Sequence, residues 1–294
     1  MKTLKLHFLF VLCCLQPIQA AAQDDTSPAS HTCPAQDDGG VMPTSQMQDR
    51  GERTSLRTHF FALGYTDMLD TYLSPEKYRG MDVHYAYEWE RNMKRQNWAE
   101  YLMVSAQLQG GHNRADNANT VAGMGSIQNG MLYTWHLLDN RLTLRAGGGV
   151  QFDLGFIYNM RNQNNPAQLK AALNIMPRVQ VAYNLKSEGK PLILAYDAMT
   201  PLLGIRFSPR YGQSYYEMFV EDNYDRNIVV TTPFNTPSLR HQLSIAFTLN
   251  KAQLLLGYLG DYQQADINDL KSHTWSHLFV IGFRKRLSIK SLQP

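Results

Sequence analysis

Residues 141–156 alternate without a break. Leu142, Leu144, Ala146, Gly148, Val150, Phe152, Leu154 and Phe156 are apolar or small, while Arg141, Thr143, Arg145, Gly147, Gly149, Gln151, Asp153 and Gly155 are polar or glycine. Successive side chains of a strand point to opposite faces, so this pattern describes one long strand with an apolar side and a wet side. Strands of soluble domains mostly end after about five or six residues. A strand tilted across a bilayer needs roughly nine to eleven and tolerates a polar lumenal side. The stretch therefore points to a membrane-spanning β-barrel.

The pattern recurs. At 169–186, Leu169, Leu173, Ile175, Val179, Val181, Tyr183 and Leu185 share one face, opposite Lys170, Asn174, Arg178, Gln180, Asn184 and Lys186. At 81–91, Met81, Val83, Tyr85, Tyr87 and Trp89 oppose Asp82, His84, Glu88 and Glu90. Residues 101–109 and 239–250 repeat it, with Leu102, Val104 and Leu108 on one strand and Leu243, Ile245, Phe247 and Leu249 on the other. The alternation is weaker at 55–66, 122–137, 191–199 and 252–262, where composition and spacing carry the assignment. A last strand is expected at 272–287, with Trp275, His277, Phe279, Ile281 and Phe283 on one face.

The beginning of the chain reads as a secretory signal over 1–22. Lys2 and Lys5 precede a short apolar core, and Ala20, Ala21 and Ala22 supply the small residues of a cleavage site. Cys13 and Cys14 lie inside that core without the flanking pattern of a lipoprotein. Residues 23–54 are polar, carry no apolar period and read as a disordered periplasmic leader. Cys33 is the single cysteine left after cleavage, so no intramolecular disulfide is expected. Beyond residue 22, 26 Lys and Arg face 25 Asp and Glu. That balance gives no support for a nucleic-acid partner. No apolar run there approaches the length of a spanning helix.

Short turns are expected near 92–97, 138–140, 186–190 and 250–251, and longer loops at 67–80, 110–121, 158–168, 200–213 and 261–273. Segregation of turns by length is a barrel trait, with short turns in the periplasm and long loops outside. The expected fold is thus all-β, a transmembrane antiparallel up-and-down barrel over 55–290. Residues 213–221 and 226–232 bring the count to twelve strands. If 200–238 is instead an insertion, such as a lumenal plug, the count is ten. Trp89, Trp98, Tyr133, Trp135 and Tyr183 cluster near the short turns, where an interfacial girdle is expected.

Two runs carry a resemblance. Thr66, Asp67, Met68, Leu69, Asp70, Thr71, Tyr72, Leu73, Ser74 and Pro75 form the first. Phe207, Ser208, Pro209, Arg210, Tyr211, Gly212, Gln213, Ser214, Tyr215, Tyr216, Glu217, Met218 and Phe219 form the second. Both resemble a family of Bacteroidetes outer-membrane barrel proteins with no assigned function. The resemblance implies an outer-membrane location, no defined activity and no catalytic residues.

The wet faces hold charges of both signs: Asp82, His84, Glu88, Glu90, Arg145, Asp153, Arg178 and Asp197. Enclosed charges must pair or be hydrated. They form either an ion-pair network that stiffens the lumen, or a polar pathway or pocket for a small solute; a catalytic His84 is the third alternative. Lipid-hydrolysing barrels resemble one another in setting His and Ser two residues apart on one strand, and none of the nine His has such a Ser. No Cys or His spacing suits zinc, and the run Gly147, Gly148, Gly149 sits mid-strand, where no phosphate loop forms. Arg206, Tyr211, Gln213, Tyr215, Tyr216 and Glu217 combine polar-tipped aromatics with charges, suiting either a plug or contacts to a ligand. The function expected is that of a structural barrel or a narrow transport or binding barrel in the outer membrane. An outer-membrane enzyme acting on lipid or peptide and a soluble lipocalin-like periplasmic protein are the alternatives. The expected partners are outer-membrane lipid, a small solute or glycan, and the barrel-assembly machinery. No cofactor is expected.

Overall fold

The computed structural model describes residues 53–93, 97–162, 165–186, 190–224, 226–249 and 252–289. The expected signal segment and the leader up to residue 52 lie outside the described residues. The first strand takes in the last two residues of that leader.

Twelve strands and one short helix make up the described fold. β1 (Arg53–Asp70), β2 (Ser74–Asn92), β3 (Trp98–Asn113), β4 (Asn119–Leu137), β5 (Leu142–Asn159) and β6 (Ala167–Asn184) form a meander. β7 (Leu192–Met199), β8 (Leu203–Phe207), α1 (Tyr215–Phe219), β9 (Ile228–Thr231), β10 (Leu239–Leu249), β11 (Ala252–Ile267) and β12 (Leu270–Ile289) follow. All pairings are antiparallel. Ten strands close the ring in the order β1, β2, β3, β4, β5, β6, β7, β10, β11, β12, and β12 returns to β1. β8 and β9 are additions. β8 takes the same edge of β6 as β7 does, farther along, and β9 pairs with β8.

The strands are long because their two-sided pattern lets them be. β5 spans 18 residues, about 60 Å of chain and about 42 Å of height at a tilt near 45°. Val150, Phe152, Leu154 and Phe156 point out and are exposed, while Gln151 is buried between them. On β2, Met81 and Val83 are exposed and Asp82, His84, Glu88 and Glu90 are buried. On β10, Leu243, Ile245, Phe247 and Leu249 face out against buried Ser244, Ala246 and Thr248. The polar row lies inside and the apolar row outside, the inverse of a soluble sandwich.

One end of the barrel holds both chain ends of the ring and the strand ends that flank the β2–β3, β4–β5, β6–β7 and β10–β11 connections. The opposite end holds 71–73, 114–118, 160–166, 208–227 and 268–269. The expected segregation by length fails, since apart from 208–227 the two sets overlap. The long loops expected at 67–80 and 261–273 are strand, joined by tight turns. Asn268 and Asp269 take φ of 55° and 62°, the left-handed pair that closes a two-residue hairpin. Their strand ends looked loop-like because their polar residues, such as Asp67, Asp70 and Asp261, face inward.

The region 200–238 also departs from expectation. Residues 213–221 were expected as strand, yet α1 lies there, started by a capping box in which Ser214 and Glu217 satisfy each other's backbone N–H. The partner of β9 is β8, in a stretch expected to be loop. Thr200 and Pro201 interrupt β7 before β8, because proline has no N–H to give to the ladder. Register along β6 shifts by one residue across that break.

Candidate functional site

The lumen is crossed by side chains. Arg178 on β6 reaches Glu88 on β2, four places away around the ring, with Nη1 to Oε1 at 2.8 Å and Nη2 to Oε2 at 3.2 Å. The same guanidinium donates to Asp197 on β7 at 2.5 Å and lies 4.8 Å from the centre of the Tyr101 ring. Arg145 on β5 donates to Glu90 on β2 at 2.9 Å and to Gln180 at 2.8 Å, and Gln180 donates to Asp197 at 2.8 Å. Small residues clear the space. Gly147 is the register partner of Arg178, and a Cβ on Gly130 would sit 2.8 Å from the Tyr101 hydroxyl.

Asp82 accepts from Gln107 at 2.7 Å and from Gln109 at 2.9 Å, and Gln109 also donates to Ser276 of β12. Asp153 accepts from Ser126 at 2.5 Å and Gln151 at 2.7 Å. His84 is buried and its Nδ1 has no hydrogen-bond partner. The eight charged residues singled out in the sequence thus all point inward. Five of them, Glu88, Glu90, Arg145, Arg178 and Asp197, join in one cluster with Gln180, while Asp82, His84 and Asp153 stand apart from it.

The 208–227 connection lies across the mouth. Tyr72, in the β1–β2 turn, donates to the carbonyl of Gln213 at 2.8 Å, and the Tyr215 hydroxyl accepts from the Leu169 N–H of β6 at 2.6 Å. Asn268, in the β11–β12 turn, donates to the carbonyl of Ser208 at 3.1 Å and to that of Arg226 at 3.1 Å. Met218 is the buried apolar foot of α1. Burial raises the Tyr72 and Tyr215 phenols above their ordinary range, which keeps both hydroxyls protonated. Gln213 holds the segment's own fold, accepting from Asn227 at 2.7 Å and donating to the Asn223 carbonyl at 2.9 Å. Glu217 belongs to the capping box. Tyr211 and Tyr216 are exposed. Below the cap, Lys170 of β6 forms an ion pair with Asp70 of β1, diametrically across the ring.

Two cavities stand out inside, among the described residues. One of about 40 Å³ lies among His84, Glu88, Arg178, Asp197 and Arg240. The larger, about 90 Å³, is lined by Asp153, Lys170, Arg206, Arg240 and Asp261 on its charged walls and by Met124, Met176 and Met199 on its apolar side. Arg206 belongs to this cavity and not to the cap. Lys170 and Arg240 fall on the wet faces of their strands but were not counted among the lumenal charges, and neither was Asp261. Lys170 and Arg240 sit in alternating strands that were legible, so the inward parity alone could have found them. Asp261 was hidden inside an expected loop. Among the described residues no group of three or more His, Cys, Asp or Glu is arranged to hold a metal ion.

Residues 7–294 match a family described as protein of unknown function (DUF3316). No curated protein matches the sequence. Among solved structures, the chain is similar to the transport unit of the autotransporter AIDA-I from Escherichia coli, at 9% identity and TM-score 0.46, covering 85% of this chain and 93% of that one. It is similar to Ail, the attachment invasion locus protein of Yersinia pestis, at 9% identity and TM-score 0.30, covering 80% and 99%. It is also similar to the COG4313 outer membrane channel from Pseudomonas putida F1, at 9% identity and TM-score 0.35, covering 87% and 100%.

Proposed function

For this chain, which belongs to the DUF3316 family of proteins of unknown function, we propose the role of a non-conducting outer-membrane barrel: a scaffold with a stiffened, side-chain-filled lumen and a capped mouth. The apolar outer face supports the membrane part of this reading. Phe61, Leu63, Val83, Leu108, Ile127, Phe152, Leu154, Leu243, Phe279 and Ile281 are exposed around the ring, where hydrocarbon would cover them. A lipocalin-like soluble protein would place such residues inside. Trp98, Tyr133 and Trp135 pack edge to face at the end that holds the chain ends, as an interfacial girdle does. That end would face the periplasm and the capped end the exterior. The signal segment and the resemblance to a Bacteroidetes family agree with export to an outer membrane, through the barrel-assembly machinery.

The observation that carries the closed-lumen reading is Arg178, bound to Glu88 across the lumen and to Asp197 beside it. An aqueous pore needs a continuous hydrated path, and this cluster, the Arg145–Glu90 pair and the Lys170–Asp70 pair cross it at successive levels. A small solute or glycan would then be met at the capped mouth and would not pass through. The test is conductance of the purified chain in planar bilayers. Wild-type protein gives no steady ohmic current, whereas Arg178→Ala combined with Arg145→Ala and Lys170→Ala gives channel steps. A steady wild-type conductance contradicts the proposal.

A further inference from the structure

The wall has a seam. β10 and β11 pair from Leu239 and Tyr262 to Leu249 and Ala252. Beyond that level β9 pairs with β8 alone, and its second edge carries no strand. Asn235 bridges the gap between β9 and β11. The Asn235 carboxamide donates to the Val230 carbonyl of β9 at 2.9 Å, and the Asn235 carbonyl accepts from the Asp266 N–H of β11 at 2.9 Å. The shortest ladder elsewhere in the ring has seven register pairs.

This seam lies within the apolar outer face. Phe152, Leu173, Ile205 and Val230 are register partners in one row across β5, β6, β8 and β9, and all four are exposed. Phe234, next to the bridging Asn235, is 97% exposed. The larger cavity is directly behind, since Thr231, Thr236, Ser238 and Leu239 of the seam line it.

Its charges are arranged in order from the seam inward. Asp153, Ala172 and Arg206 are register partners on β5, β6 and β8, and all three line the cavity. Two strand spacings separate the outer pair, about 10 Å between backbones. Ala172 leaves the space between them open. Among the described residues Arg206 makes no hydrogen bond or ion pair, and Asp153 accepts only from neutral donors, namely Ser126, Gln151 and Asn174. The other charges facing the cavity are matched, Lys170 by Asp70 and Arg240 by Asp261 at 2.8 Å. A ligand coming through the seam therefore meets first a guanidinium that makes no hydrogen bond or close ion pair, and farther in a carboxylate hydrogen-bonded only by neutral donors, the two attracting each other across the gap.

We propose that this cavity holds the phosphoethanolamine head group of a membrane lipid, reached through the β9–β11 seam. The phosphate lies against Arg206, the terminal ammonium donates to Asp153, and the acyl chain stays outside along Ile205, Val230 and Phe234. The inference rests on the membrane placement proposed above. Chemistry selects the head group. A fatty carboxylate has no second charge for Asp153, a glycerol head has no cation, and choline has no N–H to donate. The cavity of about 90 Å³ is several times the roughly 10–15 Å³ that one water requires, which suits a head group and excludes a whole lipid.

The test uses the full chain in detergent micelles. Binding of lysophosphatidylethanolamine, lysophosphatidylcholine and lysophosphatidylglycerol with the same acyl chain is compared by native mass spectrometry. The ethanolamine lipid binds saturably and about tenfold tighter than the other two, the difference expected for one charge-assisted hydrogen bond. Arg206→Met weakens all three, and Asp153→Asn abolishes the preference for ethanolamine over glycerol. Heat-modifiable gel migration identifies variants with an intact barrel. Where Arg206→Met does not fold, Arg206→Lys serves, with weaker binding and unchanged head-group preference. A lock, Asn235→Cys with Asp266→Cys in a Cys33→Ser background, slows uptake until a reductant is added. Equal binding of the three lipids by the wild type, wild-type preference in Asp153→Asn, or uptake unaffected by the lock overturns the proposal. None of these readouts involves ion flow, so a conducting wild type and a failed head-group preference remain separate results.

Discussion

A guanidinium enclosed by two carboxylates and a tyrosine ring cannot lose its place without consequence. Removing one partner of a buried ion pair leaves the others desolvated and unpaired, which costs about 3–5 kcal/mol, whereas an apolar replacement of the whole group can be neutral. Arg178→Met is therefore expected to destabilise the barrel by about that amount in urea unfolding from micelles. Arg178→Met with Glu88→Leu and Asp197→Leu recovers most of the loss. If the single variant is as stable as the wild type, Arg178 does not hold the lumen together. The charges of this cluster were visible in the sequence because they occupy the inward parity of clear strands. Their pairing was not, because Glu88 and Arg178 are 90 residues apart and meet only when the ring closes.

The elements that sequence alone made plain are those whose two faces differ throughout. β5, β6 and the middle of β2 kept one parity from end to end, and both their strands and their orientation could be read. The hairpin at Asn268 and Asp269 was missed although that dipeptide is a turn signal, because the flanking polar residues were taken as loop and not as lumenal face. α1 was missed for a related reason. The capping box of Ser214 and Glu217 was in the sequence, but the aromatic stretch 215–219 also suits a strand, and five residues are too few for a helical period to show. The cap gives a direct prediction. Losing an N-cap hydroxyl costs about 1 kcal/mol, so Ser214→Ala should speed proteolytic cleavage within 208–227 roughly fivefold, with the barrel's heat-modifiable migration unchanged. Unchanged cleavage would mean that α1 is not what keeps the segment over the mouth.

For the whole molecule, the ten-strand ring is closed by pairing, and the wall in front of the larger cavity, between β9 and β11, is where no ladder runs. β7 breaks at Pro201, β10 begins only at Leu239, and the short β8 and β9 fill part of the missing wall. This break was beyond sequence reading, since the prolines at 201, 209, 233 and 237 signalled only an interruption and not which strands it would separate. What unites lumen, cap and seam in the proposed role is that hydrocarbon and water would meet opposite faces of the same strands. Single cysteines placed in turn along 142–159 in a Cys33→Ser background and carrying nitroxide labels, in protein reconstituted into liposomes, report this most directly. Oxygen, which concentrates in hydrocarbon, should relax the labels at 150, 152, 154 and 156 strongly and those at 149, 151, 153 and 155 weakly, with a period of two. Uniform accessibility along the strand, or strong relaxation at the odd positions and weak at the even ones, would contradict a barrel embedded with its apolar face outward.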